Sequence, residues 1–155
     1  MRENIRIRQA TKKDISTIDR IIAEWLNWRA PREESIKRAV ENKELLVADR
    51  KSEVIGFIHC AMHEDIIDGG LNSFITCFYI GPEFRNEGIG SELLDRAIKD
   101  ALDKGALGIE TSTASPIARR LFERHHFKQF KGNWTMGEVL LELDMEKYER
   151  SPKKG

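Results

Sequence analysis

The chain has 155 residues, and its 26 lysines and arginines are balanced by 26 aspartates and glutamates. That length suits one domain with its own core, and the neutral balance creates no overall field that would attract nucleic acid or an anionic membrane. There is no run of about 18 apolar residues and no signal-peptide pattern at the N-terminus, so we expect a cytoplasmic protein that binds neither membrane nor nucleic acid.

The first half of the chain predicts a strand, two helices and three strands. IRIRQA at 5–10 alternates apolar and polar residues, as half-buried strands do, and Thr11 to Asp14 offer capping groups for a helix with an apolar stripe from Ile15 to Trp25. Pro31 opens a second helix that ends near Asn42. Strands are predicted at 44–49, 54–62 and 72–80.

Asp68-Gly69 lies between the last two of these strands and is a favoured two-residue hairpin turn. A turn at this position would place Cys60 opposite Cys77 and His59 opposite Phe78. Two cysteines are too few for a disulfide framework, and they lack metal-ligand spacing. We therefore expect reduced core thiols and no metal site.

The second half predicts a helix from Ile89 to about Gly105 and a strand at 107–111. A short helix capped by Ser115 follows, and FKQF and EVLLELDM read as two closing strands. The order βααβββαβαββ predicts a single α/β domain over residues 1–145, with a mixed, mostly antiparallel sheet flanked by helices. Residues 146–155 read as a frayed tail.

The segment YIGPEFRNEGIGS at 79–91 joins a strand to a helix through Gly88 and Gly90. The N–H groups that begin a helix attract anions, and glycine lets an anion approach the backbone. The segment lacks the Gly-Lys-Ser/Thr ending of a P-loop, and Leu93 stands where the dinucleotide fingerprint needs a third glycine. The residues alone allow a phosphate-binding loop of another kind or an ordinary glycine-rich turn.

The chain resembles the GNAT superfamily of acetyl-CoA-dependent N-acetyltransferases in two segments. The family hallmark, Arg/Gln-x-x-Gly-x-Gly/Ala after a hydrophobic-x-Pro strand end, is matched by residues 85–90 after Ile80-Gly81-Pro82. A second family segment, Asn-x-x-Ala-x-x-hydrophobic-Tyr-Glu-x-x-Gly-Phe, has its frame at 115–127. Ser115, Phe122 and His126 replace the Asn, Tyr and Gly of that segment.

The resemblance implies an acetyl-CoA site. The pyrophosphate would lie on the backbone amides of residues 85–91, Arg85 would neutralise phosphate, and the pantetheine arm would run beside the strand that ends at Ile80. The residues assigned to the cofactor are Phe78, Tyr79, Ile80, Arg85, Asn86, Glu87, Gly88, Ile89, Gly90, Ser91, Ser115, Ala118 and Phe122.

Acetyl transfer to an amine needs a group that takes the amine's proton and one that supports the departing thiolate. The strand NSFITCFYI lacks the family's usual carboxylate, and Phe122 stands at the position of its tyrosine. His59 and His63 share a strand face and are the candidate general bases, with an ordinary polar strand position as the other interpretation.

Several side chains are candidates for the acceptor side. Trp25 and Trp28 lie where the family's first helix and the loop after it border the acceptor pocket. Trp25 fits the core stripe, so Trp28 is the acceptor candidate. Glu64 and Asp65 near the hairpin tip could select a cationic acceptor. Trp134 would lie in the loop joining the last two strands, at an acceptor border or in a homodimer contact.

The sequence thus predicts an acetyl-CoA-dependent N-acyltransferase in which a small-molecule or protein amine attacks the thioester directly. The alternative is a non-catalytic CoA-binding sensor or interaction module, because the tyrosine and the strand carboxylate are missing. A generic phosphate-binding α/β domain would fit the glycine loop but not the second segment.

Overall fold

The structure is a computed structural model that describes residues 4–67, 69–135 and 138–152, with side chains described outside 130–139. The strands are β1 Ile5–Gln9, β2 Leu45–Arg50, β3 Glu53–Asp65, β4 Gly70–Ile80, β5 Ile109–Thr113, β6 Phe127–Thr135 and β7 Glu138–Leu143. The helices are α1 Ile15–Leu26, α2 Glu33–Glu41, α3 Ile89–Asp103, α4 Pro116–Arg124 and α5 Met145–Arg150. Short 3-10 turns occupy Lys12–Asp14 and Pro82–Phe84.

The strands form one sheet in the order β1-β2-β3-β4-β5-β7-β6. The pairs β1–β2, β2–β3, β5–β7 and β6–β7 are antiparallel, and β4–β5 is parallel. The predicted mixed, mostly antiparallel sheet flanked by helices is therefore confirmed. None of the described helices is long and apolar enough to cross a membrane.

The chain forms two compact units, Met1–Ala61 with Cys77–Ala97 and Met62–Thr76 with Ile98–Gly155. In the first unit, α1 and α2 cover one face of β2 and β3, and Ile18, Ile36, Leu45, Val47 and Phe57 form the buried cluster between them. Cys77 and Tyr79 of β4 pack against this cluster. The single domain predicted for residues 1–145 stays a prediction.

Arginine and aspartate side chains join β1, β2 and the start of α1 in the first unit. Arg8 donates to both carboxylate oxygens of Asp14, at 2.8 and 3.0 Å, and its Nε donates to Asp49 Oδ2 at 2.7 Å. Asp49 also accepts from Arg6 Nη2 at 3.0 Å. Burial raises the pKa of Asp49, but the hydrogen bonds and charges of Arg8 and Arg6 outweigh burial and hold that pKa below its ordinary value.

The β3–β4 hairpin differs from its prediction. β3 ends at Asp65 and β4 begins at Gly70, so the connection between them is longer than the predicted two-residue turn. Asp68 itself lies outside the described residues. At the other end, the Gly81 N–H donates to the Ile55 carbonyl at 2.8 Å, whereas the predicted register would put Pro82 opposite Ile55. The register prediction is wrong by one residue there, because it depended on a tight turn at Asp68-Gly69.

Two predictions near the C-terminus are also wrong. The expected fraying does not begin at Glu146, because Met145–Arg150 form α5 and Asp144 Oδ1 caps it by accepting from the Lys147 N–H at 3.1 Å. Trp134 lies in β6 opposite Val139 rather than in a loop, and its side chain is outside those described.

The carboxylate network should make stability depend on pH. The folded pKa of Asp49 lies below its unfolded value, so its contribution is present above about pH 4 and is lost as the pH falls through the folded pKa. We expect Asp49→Asn to lower the free energy of unfolding by about 1–3 kcal/mol at pH 7 and by less near pH 2, measured with urea. The control is Asp103→Asn, which breaks a solvent-exposed pair with Lys99 and should change stability by under about 1 kcal/mol. An Asp49→Asn effect of equal size at both pH values would contradict the assignment.

Candidate functional site

The last residues of β4 lie very close to β3 at Gly56. A Cβ atom at Gly56 would meet the Tyr79 carbonyl oxygen and Ile80 Cδ1, each at 2.8 Å. Real Cβ atoms essentially never come this close to another atom, so only glycine allows β4 to keep this path. The backbone of the predicted pantetheine strand is therefore positioned by a residue with no side chain.

The glycine loop begins at Gly81 and is closed by a 3-10 turn and a side-chain hydrogen bond. Pro82–Phe84 form a 3-10 turn, and Arg85 Nε donates to the Ile80 carbonyl at 3.0 Å across the turn. Asn86 and Gly88 have positive φ values of 65° and 82°, and α3 begins at Ile89, whose side chain is buried. Two left-handed residues just before a helix turn the chain sharply into the helix N-terminus, where backbone N–H groups collect.

Three aromatic rings pack together beside the end of β4. Tyr79 lies between buried Phe57 of β3, at a centroid distance of 5.4 Å, and Trp25 of α1, at 5.1 Å. Trp25 is 44% exposed, so the prediction that it lies in the core is wrong. The reason is its place on the last turn of α1, where the apolar stripe covers Tyr79 and then reaches solvent.

The loop between α1 and α2 presents Trp28 to solvent. Asn27, with φ of 50°, ends α1, and Trp28 is 64% exposed. The Arg32 guanidinium lies 5.9 Å from the centre of the Trp28 ring, donates to the Trp28 carbonyl at 2.9 Å and to Asp19 Oδ1 at 3.3 Å. The loop that carries the predicted acceptor residue is thus tied to α1 through one arginine.

The two candidate histidines have different surroundings. His59 lies opposite Leu45 in the β2–β3 ladder, and its Nε2 is 3.4 Å from Glu44 Oε1, with both side chains largely buried. His63 is exposed and belongs to the second unit. The two histidines therefore belong to different compact units.

The thiol of Cys77 lies on the same face of β4 as Tyr79. Burial raises the pKa of Cys77 to about 11, and the positive charge of Arg32 opposes that rise. Neither Cys60 nor Cys77 is in a disulfide. Among the described residues no group of His, Cys, Asp and Glu side chains could hold a metal ion.

The second family segment forms α4 in the second unit. Ser115 Oγ accepts from the Ala118 N–H at 3.2 Å, so the predicted cap is confirmed. Phe122 is only 3% exposed, and its ring packs against Phe127 at 5.2 Å. A side chain at this position is part of the packing between α4 and β6.

The hairpin tip carries the two carboxylates predicted for acceptor binding. Glu64 is exposed, and Asp65 Oδ1 accepts from the Ile67 N–H at 2.8 Å. This bond, with the Gly69 N–H donating to the Asp65 carbonyl at 2.8 Å, makes Asp65 part of the turn.

Three residues near the site were missed by sequence reasoning: Gly56, Glu44 and Arg32. A glycine inside a β-branched and aromatic strand is a signal of close backbone approach, and it precedes Phe57 in VIGFIHC. Glu44 and Arg32 carry no such signal, because their partners His59 and Asp19 are distant in sequence and are known only from the fold.

The likeness of the chain to known proteins identifies its family. The acetyltransferase (GNAT) family model matches residues 12–127. The chain belongs to the GNAT family. No curated protein sequence gives a significant match.

Solved GNAT structures share the fold at low identity. A chain of the NatC complex bound to a Gag peptide and CoA has a TM-score of 0.75 at 19% identity, over 90% of this chain and 98% of that one. The PaiA N-acetyltransferase of Thermoplasma acidophilum in complex with CoA has a TM-score of 0.73 at 18% identity, over 90% of this chain and 98% of that one. A GCN5-related N-acetyltransferase of Kribbella flavida has a TM-score of 0.69 at 17% identity, over 81% of this chain but only 33% of that longer one.

Gly56→Ala should displace the end of β4. The added methyl would meet a backbone oxygen at 2.8 Å, so the strand must shift, and we expect a loss of about 1–3 kcal/mol in the free energy of unfolding. The control is Gly108→Ala, whose Cβ would meet only Asn72 Oδ1 at an ordinary 3.5 Å. Equal stability of the two variants in urea unfolding would show that β3 and β4 have room at Gly56.

Proposed function

We propose that this protein is an acetyl-CoA-dependent N-acetyltransferase whose acceptor is a primary amine of a small molecule or protein. The observation that carries the proposal is the Gly81–Gly90 loop, in which Asn86 and Gly88 adopt positive φ immediately before α3. Backbone N–H groups at such a turn and helix start bind a pyrophosphate without a charged side chain. Membership of the GNAT family supports the same conclusion.

Strand β4 and the loop after it also fit the extended pantetheine arm of the cofactor. The parallel ladder between β4 and β5 pairs Ser73, Phe74 and Ile75 with Ile109–Thr111, and β4 itself continues to Ile80. An extended arm with amide groups can lie along such a strand as an added strand would. Phe78 and Ile80 would hold its amides and the thioester carbonyl, and Arg85 stands at the loop beside them.

Bound acetyl-CoA supplies an acyl group on a thiolate leaving group. The amine nitrogen forms a bond to the carbonyl carbon, the carbon–sulfur bond breaks, and one proton leaves the nitrogen. The backbone N–H at Phe78 or Ile80 would stabilise the oxygen as it gains charge. Water would supply the proton that the departing thiolate needs, because Phe122 has none to donate.

We propose His59 as the group that takes the amine proton, with His63 as the other candidate. His59 lies on the β3 face that carries Phe57, and the Phe57 ring contacts Tyr79. Glu44 orients the imidazole ring of His59. A His59→Gln protein that keeps its full kcat would exclude this role. Of the predicted acceptor residues, we retain Trp28, because the Arg32 guanidinium that packs against its ring also acts on Cys77 of β4. Glu64 and Asp65 stay predictions.

We infer a cytoplasmic location. The free thiols of Cys60 and Cys77 support it, because thiols stay reduced in the cytoplasm. A homodimer also stays a prediction, and light scattering would test it. Ser115, Ala118 and Phe122 stay as cofactor residues predicted by the resemblance.

The loop itself can be tested with Gly90→Val. Gly90 lies in the first turn of α3 and does not have a positive φ, so its backbone conformation suits valine, whose branched side chain would stand at the proposed phosphate position. We expect CoA affinity to fall at least about tenfold by calorimetry, corresponding to one lost charge-assisted hydrogen bond. Lys99→Val, at an exposed position of the same helix, is the control and should bind CoA normally. Unchanged affinity in folded Gly90→Val would remove the loop from the site.

Activity is tested by release of free thiol from acetyl-CoA with a panel of primary amines. We expect transfer by the native protein, because a thiol with a pKa near about 8.5 leaves without an added acid. Phe122→Tyr should change kcat at most a few-fold, since its hydroxyl would enter the packing against Phe127 rather than a solvated site. Binding of acetyl-CoA with no transfer by the native protein, and ready transfer by Phe122→Tyr, would replace the enzyme with a CoA-binding sensor.

A further inference from the structure

The Arg32 guanidinium is largely buried but only partly used. Its side chain is 14% exposed, and within the described part of the chain its hydrogen-bond acceptors are Asp19 Oδ1 and the Trp28 carbonyl. A guanidinium has five N–H donors, so these two acceptors leave donor capacity in a partly desolvated place. At 3.3 Å the contact with Asp19 is also long for a charge-assisted bond, which is normally about 2.7–2.9 Å.

Arg32 lies beside the strand that the proposed function uses. Its positive charge acts on the Cys77 thiol of β4. Helix α1 contacts β4 as well, because the ring centroids of Trp25 and Tyr79 are 5.1 Å apart. The guanidinium packs against the ring of Trp28, which is 64% exposed. An anion bound by Arg32 would therefore lie near the last residues of β4.

The local charges suit one carboxylate better than a phosphate dianion. Asp19 already balances part of the charge of Arg32, and Glu33 and Glu34 occupy the first turn of α2 directly after it. The negative charges of Asp19, Glu33 and Glu34 would repel a phosphate dianion more strongly than a carboxylate, which carries one charge. A carboxylate can also accept two parallel hydrogen bonds from a guanidinium.

We propose that Arg32 is a specificity-determining residue that binds a carboxylate of the acceptor, so that the preferred acceptors are amines that also carry a carboxylate group. This inference rests on the proposed acetyltransferase function. The carboxylate can come from a free amino acid or from an acidic side chain near the N-terminus of a peptide. In either case Trp28 supplies the apolar surface beside the bound group.

The test compares kcat/KM for matched acceptors that differ in one charge. One pair is L-leucine and L-leucinamide, and the other is a peptide beginning Met-Glu and the same peptide beginning Met-Gln. The amines of leucine and leucinamide differ in basicity, so each ratio is compared between variants and not read alone. The pair that responds to the variants identifies the source of the carboxylate.

Arg32→Gln should lower the preference for the carboxylate member by about 10- to 100-fold, the effect of losing a charged hydrogen-bonded pair. Arg29→Gln is the control, because Arg29 is an exposed neighbour in the same loop, and it should leave the ratio unchanged. Ratios that are the same in native protein and Arg32→Gln for both pairs would overturn the inference.

Asp19→Asn separates acceptor binding from a purely structural clamp. It removes the competing carboxylate but keeps the Arg32 charge, so the preference for carboxylate acceptors should rise. Equal loss of rate for both members of each pair would show that Arg32 only ties the loop to α1, and would overturn the inference. If the native protein transfers the acetyl group but never prefers the carboxylate member of a pair, the inference about Arg32 is overturned and the proposed acetyltransferase function is kept. CoA binding without transfer to any amine would overturn both.

Discussion

The close approach of β3 and β4 at Gly56 is the constraint on which the proposed cofactor strand depends. The Tyr79 carbonyl occupies space that any other residue's Cβ would need. With the backbone in that place, the Tyr79 ring reaches between Phe57 and Trp25, and the Gly81 N–H reaches the Ile55 carbonyl. The direction in which β4 enters the glycine loop is therefore fixed by backbone contact on one side and by aromatic packing on the other.

Further contacts hold the α1–α2 loop, which carries the proposed acceptor residue Trp28. Trp25 belongs to α1 and contacts β4 directly, so the start of the α1–α2 loop is held near the strand. Arg32 then joins the far end of that loop to Asp19 of α1. A loop held at both ends by specific contacts keeps exposed Trp28 in place, and pre-organisation of this kind reduces the entropy cost of binding a ligand.

Local sequence rules predicted those parts of the fold that local interactions decide. Ser115 caps α4 as expected, because a serine before proline uses groups within three residues, and the alternation in IRIRQ gives β1. The β3–β4 register was not predictable in this way. It was inferred from Asp68-Gly69, whereas the strands end earlier, at Asp65, and the close contact at Gly56 sets the pairing at the other end.

The candidate site also combines features that are local in sequence with contacts that form only in the folded chain. The glycine loop was recognisable because its residues are consecutive; the positive φ values of Asn86 and Gly88 are known only from the structure. The Glu44–His59 contact and the Arg32–Asp19 contact join residues 15 and 13 positions apart, and they exist only once β2 pairs with β3 and the α1–α2 loop has folded. Pairs of this kind leave no periodic signal in the sequence.

The enzyme and sensor hypotheses make different demands on the α1–α2 loop. A protein that only binds CoA needs the glycine loop and the β4 backbone, and it gains nothing from a partly buried arginine with unused donors beside an exposed tryptophan. Asp19 balances the Arg32 charge at 3.3 Å and the Trp28 carbonyl accepts a bond at 2.9 Å, and the remaining N–H groups of the guanidinium can serve a further ligand. Donor capacity of this kind near a proposed reaction centre suits a second ligand. The acceptor of a transfer reaction would be that ligand, and this favours the enzyme even though Phe122 replaces the family's tyrosine.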